Sequence, residues 1–242
     1  MKQYGLPIVT LVMSVLYIFF IPNDPTALKV TFKIIPMLLI ILYAYQQFPS
    51  PNKNNSNNNE ITDLTSDITA DTAPNTKDKN TKLQAKPILW LVLIGLIFCM
   101  LGDGLLEGWF VIGLAAFLTG HVFYIAAFIT KWEFSKIRML TILPIGVYSF
   151  LIGSELISAL SLSGDTELIV PVAAYTLIIS LMLWFALMTK NKWAAIGSIL
   201  FVASDSILAW NMFVSNINHS SILIMTTYYA AQFLIAHSLK KF

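Results

Sequence analysis

PILWLVLIGLIFCMLGDGLLEGWFVIGLAAFLTGHVFYIAAFIT, residues 87–130, decides the architecture. This stretch contains two carboxylates, Asp103 and Glu107, and no lysine or arginine. Residues 87–106 and 109–130 form two apolar runs separated only by Glu107 and Gly108. Each is about as long as an α-helix, rising about 1.5 Å per residue, must be to cross roughly 30 Å of hydrocarbon. A surface helix of a soluble protein would interleave charges on one face, and these runs do not. The pair reads as a transmembrane helical hairpin.

Working outward, six more apolar segments follow the same rule: residues 6–21, 27–47, 138–162, 168–189, 193–213 and 220–239. Over all 242 residues, 57% are hydrophobic and 12% charged, about half the charged share of roughly 25% usual in soluble domains. Mean hydropathy is +0.72. The expected fold is therefore all-α, a polytopic bundle of eight transmembrane helices, and a soluble globule is excluded. Nothing forms the basic footprint of a nucleic-acid binder. The single cysteine, Cys99, excludes an intrachain disulfide framework. His121, His219 and His237 are too scattered for a zinc site, so neither metal nor cofactor is expected. Lys2 followed by an apolar run imitates a signal peptide, but Pro22-Asn23-Asp24-Pro25 offers no small-x-small cleavage pattern, and a retained first helix is expected.

Residues 48–86 break the pattern. They are rich in Asn, Ser, Thr, Asp and Lys, with almost no large apolar side chain, and cannot bury enough surface to offset chain entropy. A disordered loop is expected there, inserted into one membrane domain made of residues 1–47 and 87–242. Eight spans put both termini on one side. Thirteen of the 15 basic residues then share that face, from Lys2 through the lysines of the long loop to Lys240 and Lys241. By the positive-inside rule that face is cytoplasmic. The expected location is the cytoplasmic membrane of a bacterium or the endoplasmic reticulum membrane of a eukaryote.

Within spans, ionisable groups are the informative ones, since each costs about 2.5–3.5 kcal/mol on insertion scales unless it meets a partner or a cavity. Lys33, Asp103, Glu155 and Asp205 stand out. Counting about 1.5 Å per residue from the non-cytoplasmic helix ends places Asp103 about 5 Å deep, Lys33 about 9 Å and Asp205 about 12 Å. Tyr175 and Glu155 fall near 10 Å by the same rise, and His121 and Gln232 lie closer to the midplane. Shared depth points to one polar cavity opening toward the non-cytoplasmic half of the bilayer. Asp103 near a span end also fits a carboxylate reaching interfacial water. Lys33 can snorkel along its stem, His121 can serve as an interhelical hydrogen-bonding group, and Glu155 as a protonated packing residue.

Several motifs occur in order along these helices. Lys33-x-x-Pro36 lies in the second segment and Leu101-Gly102-Asp103-x-Leu105-Leu106 in the third. The fourth holds Gly113-Leu114-x-x-Phe117-x-x-x-His121-x-x-Tyr124-x-x-Ala127-Phe128. Val172-x-x-Tyr175 with Met182, Phe201-x-x-Ser204-Asp205-Ser206 and Tyr229-x-x-Gln232 follow in the sixth, seventh and eighth. In this order they resemble the lysoplasmalogenase, or YhhN-like, family of integral membrane proteins, over most of the chain outside the long loop. That resemblance implies an eight-helix enzyme hydrolysing the vinyl ether bond of lysoplasmalogens to a fatty aldehyde and glycerophosphocholine or glycerophosphoethanolamine. It also implies that Asp103 and Asp205 carry the catalysis. Glu155 belongs to none of these motifs, which leaves it as a possible additional acid.

Two carboxyls suit such chemistry. Vinyl ether hydrolysis begins with proton transfer to the β-carbon and passes through an oxocarbenium ion that water attacks, so it needs an acid and then a base. A glycosidase pair divides its labour in a similar way. By depth, Asp205 is expected as the acid and Asp103 as the ionised partner. Lys33 suits the substrate phosphate, Tyr175 and Gln232 suit glycerol or headgroup oxygens, and His121 a carboxyl or water. Tyr124, from the fourth-segment motif, joins this substrate-binding set. Lysophospholipid, water and membrane lipids are the expected partners, with the oligomeric state open. The competing class is a proton-coupled transporter using the same acids, although no internal repeat supports it. An intramembrane aspartyl protease would need glycine where Met100 stands.

Overall fold

The computed structural model describes residues 2–21, 26–48 and 76–242. Among them, eight long helices account for nearly all of the structure: α1 (Lys2–Phe20), α2 (Thr26–Tyr45), α3 (Thr76–Leu105), α4 (Phe110–Ile129), α6 (Ile142–Ser163), α7 (Ile169–Met188), α8 (Lys192–Phe213) and α9 (Ser220–Ser238). The short α5 (Lys136–Met139) fills the connection between α4 and α6. No strand occurs among the described residues. Seven of the long helices are long and apolar enough to cross a membrane, while α1 is apolar over a shorter stretch, Gly5–Phe20. The chain is an all-helical integral membrane protein, and the expected count of eight spans includes this shorter first helix.

Residues 76–86 were expected in the disordered loop, but they extend α3. Lys, Leu, Gln and Ala in this stretch are good helix formers, so a polar composition does not prevent helix continuation from an anchored span. The remainder of that expectation, from residue 49 to 75, lies outside the described residues.

Helix packing follows a ring. α1 packs on α2, α2 on α3, α3 on α4, α4 on α7, α7 on α8 and α8 on α9, and α9 closes back onto α1, α2 and α3. Outside the ring, α6 lies chiefly against α7 and α8. Met37 and Ile40 of α2, Leu96 of α3, Phe128 of α4, Met182 of α7, Phe201 of α8 and Ile235 of α9 meet in the core. One end of the bundle is closed by polar contacts. There the Tyr43 hydroxyl bonds His237 Nδ1 at 2.6 Å, and Asn191 Nδ2 donates to the Ser238 carbonyl at 2.9 Å. Asn191 also caps α8 by accepting from the Trp193 amide.

α3 and α4 approach each other closely. A Cβ on Gly120 would lie 2.8 Å from Cys99 Sγ and 2.9 Å from the Gly95 carbonyl oxygen, and one on Gly95 would lie 3.1 Å from the Gly120 carbonyl oxygen. The backbones themselves are in the way, so no rotamer change relieves the contact. Gly120→Leu is therefore expected to destabilise the bundle by at least the roughly 1–3 kcal/mol of an overpacked core, read as a lowered Tm of the detergent-solubilised protein. An unchanged Tm would mean that α3 and α4 do not approach this closely.

Candidate active site

The end of the bundle opposite the Tyr43–His237 contact is open. A cavity of about 310 Å³ enters between the start of α2, the ends of α3 and α8 and the starts of α4 and α9, with α6 and α7 forming its far wall. Its lining is mostly apolar, with Phe110, Leu114, Phe117, Ile152, Val172 and Met225 among the contributors. Lys29, Lys33, Asp103, Glu107, Tyr175, Asp205 and Tyr228 supply charge and hydrogen bonds to the same space. A wide apolar chamber with a few convergent polar groups is the general form of a small-molecule site.

Asp103 stands in the last turn of α3 and is only 2% exposed. Its Oδ1 lies 3.4 Å from Lys33 Nζ of α2, and its Oδ2 accepts the Tyr228 hydroxyl of α9 at 2.6 Å. Lys33 is itself 7% exposed. Its carbonyl oxygen accepts the Tyr229 hydroxyl at 2.8 Å. Pro36, three residues on, interrupts the α2 ladder, since it has no amide hydrogen for the Phe32 carbonyl one turn back. Three helices thus meet at one carboxylate. Lys33, expected to meet a substrate phosphate, stands in an ion pair with Asp103 in this structure.

Asp205 stands on α8 and meets different neighbours. Its Oδ2 accepts the Tyr175 hydroxyl of α7, and no cation pairs with it among the described residues. The residues on either side are fixed. Ser204 Oγ donates to the Ile224 carbonyl at 3.0 Å, and Ser206 Oγ donates to the Val202 carbonyl at 2.7 Å while accepting the Tyr148 hydroxyl at 2.9 Å. The two carboxyls therefore share a cavity but differ in charge environment. One is matched to an ammonium, and the other is held by a phenol.

His121, Tyr124 and Gln232 do not line the cavity. They form a second polar layer beneath it, fully buried. The Tyr124 hydroxyl donates to Gln232 Oε1 at 2.7 Å, while Gln232 Nε2 and both His121 ring nitrogens lack a hydrogen-bond partner of normal geometry. His121 lies edge-on to Tyr175, with ring centroids 5.4 Å apart, and so backs the tyrosine that holds Asp205. Glu155 is exposed on α6 and lies outside the cavity lining. Depth along a helix put it level with Asp205, but its position around the helix turns it away.

Sequence reasoning missed Tyr228, Lys29 and Glu107 as site residues. Tyr228 is an aromatic in an apolar helix and reads as packing, and its partner is on α3. Lys29 and Glu107 read as charges flanking spans. Their opposite signs at one membrane face were the available signal. They form an ion pair at the cavity mouth, Lys29 Nζ to Glu107 Oε1, 3.0 Å. No group of three or more His, Cys, Asp or Glu residues able to hold a metal ion occurs among the described residues.

Residues 28–239 match the model of the family described as the YhhN family. The human protein named lysoplasmalogenase TMEM86B is 40% identical over 129 residues, which cover 53% of this chain and 53% of its own length. Bovine lysoplasmalogenase TMEM86A is 32% identical over 171 residues, 64% of this chain and 68% of that protein. A lysoplasmalogenase of Mycobacterium bovis is 31% identical over 156 residues, 60% of this chain and 58% of its own. The chain thus spans little more than half the length of the human and mycobacterial relatives. No solved structure matches it.

Proposed function

The chain belongs to the YhhN family, and from that membership and the cavity's paired carboxyls we propose that it is a membrane hydrolase that cleaves the vinyl ether bond of lysoplasmalogens. The relatives named lysoplasmalogenase support the substrate class. The observation that carries the chemistry is the unlike surroundings of Asp103 and Asp205 in one largely apolar chamber. Asp103 stands against an ammonium and is the ionised member. An unpaired charge inside a membrane protein is costly, so the carboxyl without a cation, Asp205, is the one that carries a proton.

The steps follow from that division. Asp205 gives its proton to the vinyl β-carbon, and the neighbouring carbon becomes an oxocarbenium centre. Water adds there, oriented by lone pairs that Asp103 retains beside Lys33 and Tyr228, and returns a proton to Asp205. The hemiacetal then collapses to a fatty aldehyde and a glycerophospho-alcohol, the Asp205 carboxyl handing a proton to the leaving oxygen as it takes the hydroxyl proton. Tyr175 holds the Asp205 carboxyl in place, and Lys33 holds Asp103 in its ionised state. His121, Tyr124 and Gln232 act as positioning residues beneath Tyr175. The apolar wall accommodates the alkenyl chain, and water and a lysophospholipid are the only reactants required.

Purified protein offered vinyl ether and acyl lysophospholipids side by side is expected to release fatty aldehyde from the former and no fatty acid from the latter. Fatty acid release alone would replace the ether reading with an esterase. Absence of both products, together with proton-coupled flux in proteoliposomes, would establish the transporter instead.

A further inference from the structure

The cavity has two ion pairs, stacked one helical turn apart. Lys29 and Lys33 are four residues apart on α2, while Asp103 lies in the last turn of α3 and Glu107, four residues on, in the turn that follows it. Lys29 pairs with Glu107 at 3.0 Å and Lys33 with Asp103 at 3.4 Å, and all four line the cavity. The two rungs differ in access. The side chains of Lys29 and Glu107 are 26% and 28% exposed, while those of Lys33 and Asp103 are 9% and 3% exposed. The inner rung is the more deeply buried and lies further into the cavity. The outer one is in reach of a ligand entering the mouth.

We propose that the Lys29–Glu107 pair is the headgroup subsite, exchanging its internal ion pair for a zwitterionic phospho-amine headgroup, with Lys29 on the phosphate and Glu107 on the ammonium. This assignment rests on the lysophospholipid reading for its ligand class. The charges suit it, since a lone lysine would serve any phosphate, and the adjacent carboxylate repels a second negative charge and favours an amine. Spacing agrees as well. Phosphorus and the vinyl ether oxygen of such a lipid are separated by five bonds, about 6 Å at the roughly 3.5 Å that three extended chain bonds cover. One turn between the rungs is also about 6 Å, four residues at 1.5 Å each. A phosphate held at Lys29 thus places the ether oxygen level with Asp103. A partly solvated ion pair of this kind contributes modestly to stability, so the ligand has little to displace.

The test measures binding rather than turnover. Saturated 1-O-hexadecyl glycerophosphocholine and the corresponding glycerol phosphate monoester, neither of which contains a vinyl bond, are titrated against wild type, Lys29→Met and Glu107→Gln protein in nanodiscs. Wild type is expected to prefer phosphocholine. Glu107→Gln should shift the affinity ratio about tenfold toward the monoester, the effect of losing one moderately screened charge contact. Lys29→Met should weaken both ligands. Equal weakening of both ligands by Glu107→Gln, or no change, would overturn the assignment, because a merely loosened mouth does not distinguish headgroups. The outcome is separate from that of the hydrolase assay. Aldehyde release with an unmoved ratio defeats only the subsite, while a shifted ratio without aldehyde release defeats only the reaction.

Discussion

Asp205→Asn is expected to lower kcat for aldehyde release by about a thousandfold, within the range that a positioned general acid contributes, while KM and Tm stay near wild type. The amide keeps an acceptor for the Tyr175 hydroxyl and nearly the same volume, so the α7–α8 contact survives. It loses only the transferable proton. Since no cation pairs with Asp205 among the described residues, removing its carboxyl leaves no ion-pair partner stranded. Single-turnover measurement of aldehyde with a vinyl ether lysophospholipid checks this directly. Activity within a few-fold of wild type in Asp205→Asn would remove Asp205 as the proton source and leave Asp103 to be reconsidered.

The second large effect separates charge pairing from chemistry at Asp103. Lys33→Met leaves a carboxylate that is 2% exposed with only the Tyr228 hydroxyl against it. Breaking a buried pair from one side costs about 3–5 kcal/mol, whereas replacing both partners with apolar groups is often neutral. Lys33→Met and Asp103→Leu are each expected to lower Tm markedly. The double variant should recover most of the loss and still release no aldehyde. A stable double variant with activity would reduce the pair to a structural link between α2 and α3. Three single and double variants therefore answer two questions, one with a melting curve and one with a product assay.

Identification of the polar site depended on how visible each residue was against its background. Asp103 and Asp205 stood out because a carboxylate in an apolar run has a cost that some neighbour must offset. Counting residues put both toward the same end of the bundle, where they line one cavity. Rotation about the helix axis was not available in the same way. Glu155 shares the depth of the cavity groups yet faces outward on α6, and His121 and Gln232 lie beneath the cavity floor. The polar residues 76–86 continue α3 because helix continuation from an anchored span depends on backbone propensity more than on hydrophobicity.

By itself, the sequence determined that the chain is a helical membrane protein, roughly where each span lies, and which side chains are too costly in hydrocarbon to lack a purpose. Those properties follow from transfer free energies and helical rise, both local and additive along the chain. Only the tertiary structure decided that α9 closes the ring against α1, α2 and α3, that α6 stands outside it, and that Lys33 pairs with Asp103 while Asp205 meets a phenol. Helix adjacency and azimuth are set by the fit of side chains across interfaces, such as Gly95 and Gly120 allowing α3 and α4 to touch. That fit is a property of pairs of surfaces distant in sequence. The difference in surroundings between the two carboxyls, on which the proposed chemistry depends, comes from it.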